Sequence, residues 1–349
     1  MAHPQPLPDA TPLTIITGFL GAGKTSLLNR ILYSDHEHKL AVLVNDFGAI
    51  NIDSQLVAKI QIDNTIELSN GCICCTIRDD LKQEVLKLLQ REDPPAHILI
   101  ETSGVSDPLE VALTFKYTPE VRIDAILTLV DAENILAVAD EHRILALNQI
   151  GMADIVIVNK VDLVDKDQLE QVHQYVRRIN KKARTIDAVE ADVPLAVVFD
   201  GSYDPNRPES FTRLDIHKHE AGHSHDHEHS THATAFDTWS WQSPEPLSLK
   251  SLQKAVETLP PSIYRAKGFV YLADRPDERA LLQVVGQRSN LTFPGESWNG
   301  IPPYSQIVLI GQAGSLDTEA LQKRFDQTIA GQNGLSNLVE TAFSWLRRS

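Results

Sequence analysis

Apolar positions fall in short unbroken runs over the first part of the chain. Leu13–Thr17 (LTIIT), Leu40–Val44 (LAVLV), His97–Glu101 (HILIE), Ile123–Asp131 (IDAILTLVD) and Asp154–Asn159 (DIVIVN) are apolar and rich in β-branched residues. Runs of this kind predict strands covered on both faces. Between them, helical spacing predicts helices over Lys24–Leu32, Arg78–Arg91, Asp107–Lys116, His142–Met152 and Asp167–Asn180. Strands alternating with helices predict an α/β unit built on a mainly parallel sheet.

The pattern changes near residue 200. Residues 201–235 have little apolar content and no periodicity, which predicts a solvated, flexible linker. A second unit follows, with strands expected at Phe236–Trp241, Ile263–Tyr271, Leu281–Gln287 and Gln306–Ile310. Helices are expected at Leu247–Thr258 and Asp317–Ile329, and one more amphipathic helix at Leu338–Arg347. This order fits a small α+β sandwich, ferredoxin-like in outline. The expected organisation is therefore an α/β domain over 1–200, a His-rich linker over 201–235 and an α+β domain over 236–349.

Composition narrows the function classes. The chain has 349 residues, 42% apolar and 23% charged, an ordinary globular mix that excludes wholesale disorder. Lys plus Arg number 32 against 47 Asp plus Glu, a net charge of −15, which argues against a nucleic-acid partner. No run of about 18 uninterrupted apolar residues exists, so no membrane span is expected. The opening MAHPQPLPDATPL lacks a basic patch followed by an apolar run. A secretory signal is not expected, and a cytoplasmic location is.

Gly18-Phe19-Leu20-Gly21-Ala22-Gly23-Lys24-Thr25 fits G-x-x-x-x-G-K-[ST] between a predicted strand and a predicted helix. Gly18, Gly21 and Gly23 let the backbone wrap a phosphate. The amides through Ala22 to Ser26 and the helix N-terminus supply positive potential. Lys24 reaches the β- and γ-phosphates, and the Thr25 hydroxyl can ligate Mg²⁺. This marks the first unit as a P-loop domain.

Asn159-Lys160-Val161-Asp162 closes a later strand as N-K-x-D. A carboxylate at Asp162 can accept from both guanine N1–H and the exocyclic amine, whereas adenine offers an acceptor at N1 and no such amine. Asn159 is expected at the purine edge and the Lys160 stem over the ring, giving a GTPase. Glu101-Thr102-Ser103-Gly104 ends another strand. Glu101 stands where a carboxylate holds the Mg²⁺ water shell, and Gly104 can bring its N–H to the γ-phosphate. Val105 rather than Gln follows Gly104, which predicts slow intrinsic hydrolysis or completion of the site by another segment or partner. Asp46, in Asn45-Asp46-Phe47-Gly48, is a candidate for Mg²⁺ or the attacking water, or an ordinary turn carboxylate.

All three cysteines, Cys72, Cys74 and Cys75, fall in four positions. One cluster cannot build a disulfide scaffold. Three soft thiolates suit Zn²⁺, Cu⁺ and, less strongly, Co²⁺, with a fourth position open for loading and unloading. A redox switch is the rival reading, and an Fe–S cluster lacks a fourth thiolate. In the linker, His217, His219, His223, His225, His227, His229 and His232 offer imidazoles for weaker, faster metal capture, or are simply polar linker residues.

Taken together these residues resemble the CobW family of GTPase metallochaperones. The motifs that carry the resemblance are Gly18–Arg30, Asn45–Gly48, Gly71–Cys75, Glu101–Gly104 and Asn159–Asp162, with RAKGFVYLADRP (Arg265–Pro276) and the Trp298 region beyond the linker. The resemblance implies GTP hydrolysis, with GTP and Mg²⁺ as cofactors, coupled to delivery of Zn²⁺ or Co²⁺ to a metal-requiring client protein. A nucleotide- or metal-dependent homodimer is also allowed for. Family members often carry N-E-F-G-E where this chain has Asp46 and Ala49, so any role of those two Glu residues is shortened or lost. A GTP-binding metal buffer or sensor, and a signalling GTPase with redox-sensitive thiols, are the other classes that fit.

Overall fold

The computed structural model of the chain describes residues 10–34, 39–45, 65–67, 76–198, 236–295, 297–298 and 300–331. They form two sheets. The first contains β1 (Thr11–Gly18), β2 (Leu40–Asn45), β3 (Thr65–Glu67), β4 (His97–Thr102), β5 (Val121–Asp131), β6 (Ile155–Asn159) and β7 (Arg184–Ala188). Their order is β3-β2-β4-β1-β5-β6-β7, and every pairing is parallel. The helices between them are α1 (Lys24–Tyr33), α2 (Thr76–Leu89), α3 (Pro108–Phe115), α4 (Asp140–Gly151), α5 (Lys166–Ile179) and α6 (Leu195–Val198).

Alternate residues of each strand enter different cores, as period 2 requires. Ile16, Val42, Leu99, Leu127 and Ile157 face α1, whose Leu27, Leu28 and Ile31 are almost wholly buried. Leu13, Ile15, Leu43, Ile98 and Ile100 face α2 and α3 on the other side. Val156 and Val158 meet α4 and α5. Fully burying such a side chain contributes about 1.5–3 kcal/mol. The helix that opens at the phosphate loop is therefore fixed to the sheet by its own apolar stripe.

The second sheet holds β8 (Phe236–Ser243), β9 (Ile263–Leu272), β10 (Arg275–Val285), β11 (Arg288–Thr292) and β12 (Ser305–Gln312) in the order β11-β10-β9-β12-β8, with every pairing antiparallel. β8 and β9 thus run the same way with β12 between them, joined by α7 (Leu249–Glu257). This split βαβ unit is the part of the sandwich that the ferredoxin-like outline anticipates. α7 and α8 (Thr318–Asp326) bury Leu252, Val256, Leu321 and Phe325 against one face of the sheet. Trp241 Nε1 donates to Asp326 Oδ1 at 2.9 Å and pins α8 to the edge strand.

Three strands escape the sequence pattern. β3 is three residues long, and β7 and β11 are edge strands with polar residues at most positions, RTIDA and RSNLT. The strand expected at Leu281–Gln287 begins earlier, at Arg275, and stops at Val285. Gly286, with φ 55°, and Gln287 then turn the chain into β11, pairing Val285 with Arg288. The helix expected from Leu247 starts at Leu249, because Ser248 caps it by accepting from Ser251 N. The helix expected to reach Ile329 ends at Asp326. The expected helix at Leu338–Arg347 lies outside the described residues.

The two domains meet through buried polar contacts. Arg265 Nη2 and Arg122 Nη1 each lie 3.0 Å from the Asp124 carboxylate, one from either domain. Arg265 Nε also donates to Val197 O at 3.0 Å, and Tyr264 Oη to Thr185 O at 3.3 Å. Burial pushes the Asp124 carboxyl up, but Arg265 and then Arg122 outweigh it and hold the group far below the usual carboxylate range. Its contribution to stability is complete above the unfolded value of about 3.9 and is lost as pH falls through the lower folded value. Arg265→Met should cost about 3 kcal/mol in urea unfolding at pH 7, since it leaves Asp124 buried with less compensation. An unchanged midpoint would show that this pair does not join the domains.

Candidate functional site

The phosphate loop, the end of β4 and the ends of β5 and β6 gather along the carboxyl edge of the parallel sheet, where open α/β sheets bind ligands. Residues 18–25 leave β1 and enter α1. Gly18, Gly21 and Gly23 have φ of 141°, 76° and 102°. Gly23 stands in the cap position of α1, which has no side-chain cap, so its first N–H groups are directed at the loop rather than at a capping oxygen. A Cβ on Gly23 would lie 2.4 Å from Asn159 Nδ2 and would displace the Asn159 amide from the loop.

Ala22 is fully buried, and its N–H donates to Phe19 O at 3.2 Å. Lys24 is 6% exposed, and its Nζ donates to Phe19 O at 3.3 Å, keeping the ammonium inside the loop. Thr25 Oγ1 donates to Glu101 Oε1 at 3.2 Å. Two adjacent ligands of an octahedral Mg²⁺ at about 2.1 Å stand roughly 3 Å apart. The Thr25 hydroxyl and the buried Glu101 carboxylate therefore fit that ion in chemistry and in spacing. Ser26 is exposed on the first turn of α1. Behind this pair, Thr102 Oγ1 donates to Thr17 Oγ1 at 2.8 Å and ties β4 to β1.

Gly104 is needed for a reason the sequence does not state. A Cβ there would lie 2.8 Å from Leu20 N and 2.9 Å from Leu20 Cα, so the loop after β4 packs directly on the phosphate loop. Ser106 N donates to Ser103 O at 2.9 Å and closes a tight turn over residues 103–106.

At the end of β6 the motif residues divide their work. Asn159, 2% exposed, donates from Nδ2 to Ala22 O at 2.9 Å and accepts at Oδ1 from Ala191 N at 2.7 Å. Both ends of its amide thus brace the phosphate loop against the segment after β7. Lys160 adopts φ 63° and donates from Nζ to Asp131 Oδ2 at 2.7 Å. Asp162 is exposed in the 3₁₀ turn Val161–Leu163, open to a base.

Four contributors escape motif reading. Asp131 ends β5 and lies opposite Asn159 in the sheet register. Burial raises its carboxyl, but hydrogen bonds from Lys160 and Asn134 and from Glu133 N hold it below the usual range. An acid ending an apolar strand beside the NKVD strand is the signal that could have marked it. Ala191, with φ 58°, gives only a backbone N–H to the site, which no side chain announces. Arg30 of α1 holds that segment by donating from Nε to Glu190 O at 2.8 Å and pairing with Asp192 at 3.3 Å. The fourth is Gln149, described below.

Asp46, Cys72, Cys74, Cys75 and His217, His219, His223, His225, His227, His229 and His232 lie outside the described residues. Among the described residues no three His, Cys, Asp or Glu side chains are grouped to hold a metal ion, and no helix is long and apolar enough to cross a membrane.

Residues 12–187 match the model of the CobW/HypB/UreG nucleotide-binding domain, and residues 236–329 match the cobalamin synthesis protein CobW C-terminal domain. A zinc chaperone CobW from Sinorhizobium sp is 31% identical over 335 residues, covering 86% of this chain and 92% of that protein. A zinc chaperone CobW from Pseudomonas aeruginosa is 30% identical over 356 residues, covering 91% and 92%. The Zn(II)-bound YjiA GTPase from Escherichia coli aligns over 91% of this chain and 99% of its own, with 23% identity and a TM-score of 0.42. The chain belongs to the CobW/HypB/UreG family, whose nucleotide-binding domain is a GTPase domain.

Proposed function

We propose that this protein is a GTP-hydrolysing metallochaperone that binds Zn(II) through Cys72, Cys74 and Cys75 and passes it to a metal-requiring client. The observation that carries the reading is the convergence of Lys24, the Thr25–Glu101 pair and the NKVD turn on one edge of the sheet. Near full-length similarity to proteins named zinc chaperones supports the cargo. Lys24 and the amides of the phosphate loop bind and orient the phosphates, and Asp162 selects the base. Thr25 and Glu101 would hold Mg²⁺, which would supply positive charge to the phosphates. The cysteine segment lies in sequence between the β2 end and the strand that carries Glu101. A segment so placed can take two arrangements set by the γ-phosphate.

Zinc titrations with GTP, with GDP and without nucleotide test this reading. Affinity for one Zn²⁺ should differ between the GTP and GDP forms by roughly tenfold, and linkage requires zinc to change GTP affinity by the same factor. Substituting Ser for Cys72, Cys74 and Cys75 together should remove the gated site and spare GTP binding. Three superimposable zinc curves would overturn the chaperone mechanism, and tighter gated binding of Co²⁺ than of Zn²⁺ would reassign the cargo.

A further inference from the structure

Gln149 sits on the last turn of α4, 1% exposed, outside every motif of the site and 45 residues beyond Gly104. Its Nε2 donates to Gly104 O at 3.3 Å and to Ser106 O at 3.1 Å. Both side-chain N–H groups thus go to the turn that follows β4. The helix backbone at this residue is itself anchored, because Thr128 Oγ1 of β5 donates to Gln149 O at 2.7 Å. A buried amide fixed at its own backbone is a rigid clamp.

The clamp acts on a peptide group that matters. Within the turn, Ser103 O accepts from Ser106 N. In a trans peptide the N–H of the following residue points opposite to the C=O, so the Gly104 N–H is directed out of the turn. Gly104 itself lies against Leu20 of the phosphate loop. With the carbonyls of residues 103, 104 and 106 all engaged inside the protein, the turn has few ways to rotate that N–H. A hydrogen bond aimed in advance costs little reorganisation when charge arrives.

We infer that Gln149 is a positioning residue that presents the Gly104 N–H to the γ-phosphate, and so sets how strongly the protein distinguishes GTP from GDP. The inference rests on the GTPase reading of the site. GDP has no group at that position, so loosening the turn should leave GDP binding alone.

Gln149→Met keeps the length of the side chain and deletes both donors. Gln149→Glu places a carboxylate against two carbonyl oxygens and should loosen the turn further. In the full-length protein with Mg²⁺, affinity for a non-hydrolysable GTP analogue should fall roughly tenfold in the Met variant, and more in the Glu variant. Single-turnover hydrolysis should slow by a similar factor, while GDP affinity stays within about twofold. Equal losses for GDP and for the analogue, or no loss for either, would overturn the positioning role. If neither variant folds, the wild-type protein still decides. The Gln149 side-chain amide resonance should shift between the GDP and analogue complexes, and its indifference to the γ-phosphate would count against the proposal. Wild-type protein that turned over no GTP would instead remove the reading on which the inference rests.

Discussion

Lys24→Ala should lower kcat/KM for GTP by at least about 10³. In the structure the Lys24 ammonium is already buried within the loop, held by Phe19 O at 3.3 Å. Binding GTP brings phosphate oxygens to an ammonium already inside the loop, with little further ordering of the side chain. A fixed cation facing the charge that develops in phosphoryl transfer acts where little water screens it, and comparable groups contribute 10³–10⁵ in rate. The alanine variant should keep its fold. Ala22 N still reaches Phe19 O, Asn159 still braces Ala22 O, and the stripe of Leu27, Leu28 and Ile31 still fixes α1. Single-turnover hydrolysis alongside thermal unfolding separates the two effects. Unchanged turnover in a folded variant would remove the phosphate loop from the mechanism.

Parts of the site were legible because they are contiguous. The phosphate loop must reverse direction within eight residues, and only glycines at fixed places allow that, so Gly18, Gly21 and Gly23 spell out its geometry. NKVD and ETSG were readable as strand ends for the same reason. What a motif residue does was harder to see. The motif marks Asn159 as functional, yet its partners are a carbonyl 137 residues away and a backbone N–H after a strand that the apolar pattern does not predict. Gln149 acts through tertiary contacts that leave no local pattern, since a polar residue on a helix reads as a solvated position, whereas Asp131 leaves one signal, an acid that ends an apolar strand. The fold shows the same division. Strands buried on both faces were apparent from unbroken apolar runs, whereas the edge strands β7 and β11 carry polar residues where one flank lacks a partner strand. The ion pairs at the junction between the domains join Arg265 to Asp124 and Arg288 to Asp154, residue types that a sequence reading places at the surface.

Base selectivity should be the property most sensitive to a single exposed residue. Asp162 is open to solvent, but the turn that carries it is rigid. Asn159 locks the strand end to the phosphate loop, and Lys160, at φ 63°, is tied to Asp131, whose carboxylate also accepts from Glu133 N and Asn134 N. A carboxylate held in this way can pair with guanine N1–H and the exocyclic amine together. With ATP the same carboxylate meets the N1 lone pair, and discrimination of this type reaches about 10⁴–10⁵. Asp162→Ala should therefore cut the ratio of GTP to ATP affinity by about 10³ or more, mostly through weaker GTP binding. Thermal stability should barely change, because Asp162 makes no buried contact. Asp162→Asn gives a sharper test. Its amide can accept from N1–H and donate to a 2-oxo group, which is what xanthine presents in place of the guanine amine. The asparagine variant should prefer xanthosine triphosphate over GTP. Wild-type protein that binds ATP as tightly as GTP, or an asparagine variant that still prefers GTP, would mean that Asp162 does not read the base.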